Sequence, residues 1–426
     1  MLSPNNKIIC GVDLGSHRLK IAAGLLNKNG DFSSLEYASA KSYGMNAGLI
    51  TDISSMSRTL RETLGLLERK IRHTIKRVYI NINAEDLISR YVSAAMPLCD
   101  RGNKIVTTQD VSLIKSQACS LGLKLEEEII HEFPYRYVLD DHNEMQNPNG
   151  LYGHKLTVDL YLIAAKLAHI ENIVKLTNQA GLEVEDVVFS GLAASLAVLD
   201  KNLKTRGCVL IDIGADLTQI LLFKDNILRF AEVINYGGNN ITKAISEVIK
   251  LPFELAEEIK DTYGSATSKD INDSEEVMIK KDDSYRPIKR RIISSVIEPE
   301  VTQLLTRLKE KIDSSAYLRG IDYPIIIIGG TGLLDGLLEL AESILGTSVT
   351  LGIPKAQLPA QNYQPRYGKD LLSLSSRSVI YATAIGLILY GFNLKEENKL
   401  TIFQSPDKNI FTYLTGRMKD IYIEYF

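Results

Sequence analysis

Apolar and polar positions follow two periods along the 426 residues, and each change of period marks an element. Short apolar runs at 7–14, 19–26 and 32–38, separated by turn residues, predict three strands. Ile53, Met56, Leu60, Leu64, Leu67 and Ile71 then step by three and four, one stripe of a helix over 52–74 capped by Thr51 or Asp52. A strand follows at 77–83, R-V-Y-I-N-I-N. The stretch 84–165 breaks the pattern with strands at 89–97, 128–139 and 155–165, a helix at 108–121 behind Thr107 or Thr108, and a turn-rich loop at 140–153; it reads as a small α+β insertion. Next come a helix at 168–180, a strand at 183–189, a helix of small residues at 191–199, strands over 208–223 and 227–235, and helices from Thr242 and over 252–263. A hairpin (277–280 with 286–292), a helix (293–316), an apolar strand (323–328), a helix (333–345), a short strand (349–351) and a buried helix (378–390) complete the main body. A polar linker at 393–408 leads to a last helix, 409–426.

One pattern occurs twice. G-V-D-L-G-S-H-R-L-K-I-A from Gly11 is repeated by L-I-D-I-G-A-D-L-T-Q-I-L from Leu210, with Asp13 on Asp212, Gly15 on Gly214 and Ile21 on Ile220. Each copy is an apolar strand, an Asp, a Gly-bearing turn and a second strand. Two copies half a chain apart predict a duplicated domain. The turn glycines let backbone N–H groups approach an anion. Two Asp on opposite walls of one cleft would suit Mg²⁺ and a polyphosphate, Asp13 and Asp212 holding the metal. The alternative is a pair of unrelated hairpins with Asp in their turns.

Composition narrows the class. Hydrophobic content of 45% and charged content of 24% are those of an ordinary globular chain, long enough for two to four domains. A net charge of −3 argues against a nucleic-acid binder. Cys10, Cys99, Cys119 and Cys208 form no CxxC, which points to buried thiols and a reducing cytosol rather than disulfides or zinc. The stretch before Asp13 lacks the apolar core of a signal peptide, and the longest apolar run, 379–392, is too short to cross a bilayer. His131, His142 and His154 fit no ligand spacing and are expected at the surface.

Further candidates follow from position. Ser16, Arg18 and Lys20 share strand parity, so one of the two bases can meet phosphate; a solvated face is the alternative. Gly237-Gly238 enters a helix, an anion or hinge arrangement, or a plain turn. Glu257 and Lys260 lie three apart on one helical face, where a solvated pair is the simpler explanation. Gly329-Gly330-Thr331-Gly332 follows an apolar strand, as a ligand-approach turn or a tight link. On a helix, Phe411, Leu414, Met418, Ile421, Tyr422 and Tyr425 form one stripe ahead of the terminal Phe426. Arg417, Lys419, Asp420 and Glu424 fall mostly elsewhere. Such a helix can lie in a membrane interface or dock on protein.

Taken in order, these motifs resemble the actin/Hsp70/sugar-kinase ATPase superfamily, and within it the FtsA family of bacterial cell-division actin homologues. The resemblance runs along nearly the whole chain and is carried by Gly48-Leu49-Ile50-Thr51-Asp52, Pro148-Asn149-Gly150-Leu151-Tyr152-Gly153, 191–199, 256–264, 329–332, 378–387 and the terminal helix. It implies a two-lobed, duplicated, ribonuclease H-like α/β fold with an inserted subdomain at 84–165. The first lobe would comprise 1–83 and 166–206. The second would have its core at 207–238 and within 321–392, which also returns to the first lobe, and an outer subdomain at 239–320; a linker at 393–408 and an amphipathic membrane helix at 409–426 would follow.

The resemblance also implies ATP and Mg²⁺ between the lobes. Gly15, Ser16, Gly214 and Thr218 would cradle phosphates, Glu257 and Lys260 would meet the ribose or adenine, and 329–332 would approach the adenosine. The family polymerises head to tail, recruits later division proteins and holds the C-terminal peptide of the tubulin-like ring protein FtsZ, here within about 239–320, at the cytoplasmic face of the membrane. The second phosphate turn departs from the family's D-I-G-G-G-T-T-D. It reads Asp212-Ile213-Gly214-Ala215-Asp216-Leu217-Thr218-Gln219, with two glycines lost and a carboxylate gained. Ser190 and Gly191 stand where actin relatives carry the Gln or Glu that positions water. Nucleotide binding with weak or absent hydrolysis is therefore expected. A pilus-assembly actin homologue and a small-molecule kinase of the same superfamily are the alternatives, although no substrate-facing Asp of a kinase is evident.

Overall fold

The computed structural model describes residues 7–27, 32–269, 271–281, 284–315, 317, 323–354 and 376–404. Its frame is two five-stranded sheets with one connectivity. The first runs Glu183–Phe189, Arg77–Ile82, Lys7–Leu14, Arg18–Leu26, Phe32–Lys41. The second runs Val349–Leu351, Ile325–Ile328, Cys208–Ile213, Thr218–Lys224, Ile227–Ile234. In both, the three strands of the hairpins are antiparallel and the other two parallel. Register repeats as well: Asp13 is opposite Lys20, and Asp212 is opposite Gln219. The duplication expected from sequence is thus a duplication of topology. It delivers two equivalent strand ends, each with an Asp, to one region.

The lobes meet through helices rather than through their sheets. Ser190–Val198 and Ala382–Gln404 pack together between the sheets, and small residues make the approach possible. A Cβ on Gly386 would be driven into the Ala193 carbonyl oxygen, and one on Gly11 into that of Ala384. The core around them extends from Ile9, Val12 and Ile21 of the first sheet to Leu210 and Leu221 of the second. The other face of the second sheet packs on Gly238–Ile249, Arg290–Ser314 and Leu337–Leu345 around Ile211, Ile245, Leu304 and Ile327.

The insertion is a four-stranded sheet ordered Asn143–Met145, Glu127–Leu139, Lys155–Lys166, Ile88–Pro97, with the helix Thr108–Gly122 on its core. Thr107 caps that helix through a reciprocal pair with Asp110, and Asp52 caps Ile53–Ile71. The insertion touches both lobes. His131 Nε2 accepts the Phe189 N–H at 3.0 Å, and the Tyr91 hydroxyl donates to the Arg229 carbonyl at 2.6 Å. His131 is accordingly buried, not at the surface as the spacing of the histidines suggested: its ring fills the seam between insertion and first lobe.

Several boundaries differ from expectation; the strand expected over 286–292 ends at Lys289, the next helix starts at Arg290, and a short helix, Lys201–Arg206, forms where none is expected. The helix expected from Thr242 starts at Gly238, because the Asn240 side chain accepts the Gly237 N–H and closes the first turn earlier. The helix expected over 333–345 is a short 3₁₀ turn, Thr331–Leu333, and then Leu337–Leu345, with Gly336 left-handed at φ 71° between them. The core helix continues to Gln404, taking in most of the stretch expected to be a linker. The terminal helix 409–426, with Phe411, Leu414, Arg417, Met418, Lys419, Ile421, Tyr422, Tyr425 and Phe426, lies outside the described residues. Among the described residues no helix is long and apolar enough to cross a membrane.

Candidate functional site

Between the lobes is a cavity of about 540 Å³, in the range of small-molecule sites. Its lining comes from both hairpin turns, from the C-terminal ends of the parallel strands, and from helix Phe253–Tyr263. Open α/β sheets bind ligands at those strand ends. Asp13, Gly15, Ser16, Lys20, Asp212, Gly214, Gly238, Glu257, Lys260, Gly329, Gly330 and Thr331 all line it. Thr218, Gly237 and Gly332 do not. The Thr218 hydroxyl donates to the Tyr236 carbonyl at 2.7 Å behind the wall, so it has no proton left for a phosphate. Gly237 is packed against the Gly214 and Ala215 carbonyls, and Gly332 against Ile327.

Asp13 is held by two donors: Lys20 Nζ gives to Oδ2 at 2.6 Å, and Asn81 Nδ2 to Oδ1 at 3.0 Å. Asn81 also donates to Ser190 Oγ at 2.9 Å and accepts the Leu14 N–H at 2.6 Å, which fixes the strand end from which Asp13 projects. Both bases line the cavity; Lys20 is committed to Asp13, while Arg18 gives its guanidinium to Ser39 Oγ at 3.2 Å. In the second hairpin Gln219 takes the place of Lys20, its Nε2 lying 3.4 Å from Asp212 Oδ2. Burial, then the Asp13 charge, push the Asp212 carboxyl up to about 6, with Lys20 opposing.

That shift and the donor chemistry bear on the metal. Two carboxylates near enough to repel each other, with the buried Asn83 Oδ1 and Gln219 Oε1 lacking protein partners, are hard oxygen donors suited to Mg²⁺. Among the described residues no cluster of three or more His, Cys, Asp and Glu forms a closed cage. Such a site needs oxygens from a ligand, as Mg²⁺ takes them from nucleotide phosphates.

Glu257 and Lys260 form a partly buried pair at 2.7 Å, with Lys260 buried and Glu257 mostly covered, not a solvated one. Burial works to raise the Glu257 carboxyl, but the Lys260 ammonium and the Thr242 hydroxyl outweigh it and hold it below the ordinary range. His17 Nδ1 approaches Glu257 Oε1 from the other lobe at 3.7 Å, and burial lowers its pKa. Sequence reasoning assigned no role to His17, Asn81, Asn83 or Gln219. For Asn81 and Asn83 a signal existed: polar residues at the end of an apolar strand that should be fully buried. His17 carried none, because its partner is 240 positions away.

Comparison with known proteins agrees with this geometry. Residues 209–386 match the family model "Cell division protein FtsA", and residues 86–164 match "SHS2 domain inserted in FTSA". The second match falls on the insertion, and together the two take in more than half of the chain. The chain belongs to the FtsA family. Curated FtsA relatives agree in length. The protein of Pseudomonas aeruginosa is 25% identical over 92% of this chain and 91% of its own. The Escherichia coli K12 protein is 26% identical over 91% of each, and that of Streptococcus pneumoniae is 27% identical over 92% of this chain and 84% of its own.

Solved structures extend the likeness of fold. A PilM–PilN type IV pilus biogenesis complex has a chain with a TM-score of 0.65 at 18% identity, covering 90% of this chain and 98% of that one. MreB5 of Spiroplasma citri bound to ADP gives 0.54 at 12%, covering 92% and 98%. This FtsA-family chain thus has the actin-like duplicated fold, and its cavity lies at the junction of the two repeats.

Proposed function

We propose that the cleft binds ATP or ADP with Mg²⁺, and that the chain uses this site as an actin-like cell-division protein. The observation that carries the proposal is that the two repeated hairpins bring Asp13, Gly15 and Ser16 against Asp212 and Gly214 around one cavity. Asp13 and Asp212 would hold the metal shell, and the Gly15 and Gly214 turns with Ser16 would face phosphates. Glu257, Lys260 and Gly329-Gly330-Thr331 line the part of the same cavity left for the nucleoside. When bound, Mg²⁺ would neutralise phosphate charge between the two carboxylates. Lys20 positions Asp13, and Asn81 orients it. The Ser190 hydroxyl donates to the Ile82 carbonyl at 3.0 Å and accepts from Asn81, so it is committed to the wall; this supports slow or absent hydrolysis.

The wider role is proposed by likeness to the family. The chain would polymerise head to tail, bind the FtsZ C-terminal peptide on the outer subdomain 239–320, and hold it at the cytoplasmic face of the membrane through 409–426, where later division proteins join. A pull-down on the FtsZ C-terminal peptide, with liposome pelleting of the full chain and of a 409–426 deletion, tests it. Peptide capture and loss of pelleting on deletion are expected. No capture and unchanged pelleting would instead favour a partner-docking role like that of a pilus-assembly homologue.

A further inference from the structure

The carboxylate that departs from the family pattern has a defined position. Asp216 lines the cleft, and both its oxygens are engaged. Oδ1 accepts from Asn239 Nδ2 at 2.6 Å within its own lobe, and Oδ2 accepts the Ala47 N–H at 2.8 Å from the other lobe. The Ala47 segment is unusual in backbone. Ala47 and Gly48 are consecutive left-handed residues, φ 46° and 78°, and Gly44 adds a third at 84°. Only the glycines adopt this cheaply, so the turn holds Ala47 in a conformation that an L-residue disfavours. A Cβ on Gly48 would be driven into the Asn83 carbonyl oxygen, so the backbone there has no slack.

The result is a turn that aims successive N–H groups at Asp216 and Ser16, two residues of the cleft lining. Ala47 gives its proton to Asp216, and Gly48 gives its own to Ser16 Oγ at 3.3 Å. Successive backbone N–H groups in such a turn make an anion-binding concavity. In the structure the anion is a carboxylate supplied by the opposite lobe.

Resting on the nucleotide-binding proposal above, we infer that the Ala47–Gly48 turn is a receptor for the terminal phosphate of a nucleoside triphosphate, and that Asp216 is its built-in competitor. A diphosphate leaves the Asp216–Ala47 contact in place. A triphosphate must either displace it or set its terminal charge beside a carboxylate, while Lys20, a base of the same cleft, is already paired with Asp13 at 2.6 Å. Like charges brought together at a partly desolvated site weaken binding by a tenfold step or more. The cleft therefore prefers a nucleoside diphosphate, and its two lobes are clasped without a terminal phosphate.

Calorimetric titration of the purified full chain with Mg²⁺–ADP and with Mg²⁺–ATP reads this preference directly. Wild type is expected to bind ADP about tenfold tighter than ATP. Asp216→Gly removes carboxylate and clasp together and should bring the two within about threefold, ATP gaining most. Asp216→Asn keeps an oxygen for Ala47 and loses the charge, so it should recover most of that gain. This variant carries the test if the glycine variant does not fold. An ADP-to-ATP ratio that is the same in wild type and variants, with ADP bound throughout, would overturn the role of Asp216 and leave the nucleotide site standing. Folded wild-type protein that binds neither nucleotide would overturn both.

Discussion

At the scale of single residues, the site depends on how two carboxylates are held. Asn81 serves the Leu14 N–H, Asp13 and Ser190 at once, so Asn81→Ala leaves three buried groups short of a partner. Unpaired buried groups cost about 1–3 kcal/mol each before relaxation or water entry. The variant should lose about 2–4 kcal/mol in urea unfolding and bind Mg²⁺–nucleotide about tenfold more weakly. Asp212, raised to about 6 by burial and by Asp13, takes up a proton in the folded state more readily than in the unfolded one. Its contribution to stability therefore falls as the pH rises from about 4 to 6. The proton also competes with the metal. Mg²⁺-dependent nucleotide affinity should be flat above pH 6 and fall below it, towards tenfold per unit, in a titration over pH 5–7.5. The two Asp and their glycines were legible in the sequence because they repeat. Asp216 was legible as a charge, but its contact with Ala47, 169 positions away, was not, because no local pattern encodes a contact across lobes.

Elements were readable where packing follows local pattern. The strands of both hairpins have buried apolar runs, and the helix Ile53–Ile71 has one stripe and an Asp cap, so pattern and structure coincide. Polarity misled at 393–404: N-L-K-E-E-N-K-L-T-I-F-Q reads as a linker, yet Leu, Lys and Glu are strong helix formers and extend a helix already nucleated in the core. The packing of that helix yields a prediction. Gly386→Ala places a methyl group against the Ala193 carbonyl, and overpacking of this kind costs about 1–3 kcal/mol, read as a lower urea midpoint. The seam of the insertion yields another. Burial pushes His131 down to about 3, so the unfolded chain takes up a proton that the folded chain refuses between about 6.5 and 3. This group's stability is full above pH 6.5 and lost as pH falls, about 2 kcal/mol by pH 5. His131→Gln keeps an acceptor for Phe189 without titrating, and should flatten that part of the stability–pH curve.

Across the whole molecule, the polar contacts that tie the lobes at the cleft include, among the described residues, Asp216 to Ala47, His17 to Glu257 and, at the exposed rim, Lys41 to Glu254 at 3.5 Å. Behind them the lobes share the core around Ser190–Val198 and Ala382–Gln404. A ligand that touches both hairpins adds contacts at the cleft, and so stabilises the assembled pair of lobes by mass action. The duplication that gives the molecule its shape thus also creates its site. Binding of Mg²⁺–ADP to the full chain, followed by calorimetry for wild type and Asp13→Asn with and without Mg²⁺, tests that claim most directly. One site per chain, dependent on Mg²⁺ and weakened at least tenfold by Asp13→Asn, is predicted. Binding that ignores both the metal and the substitution would contradict the account.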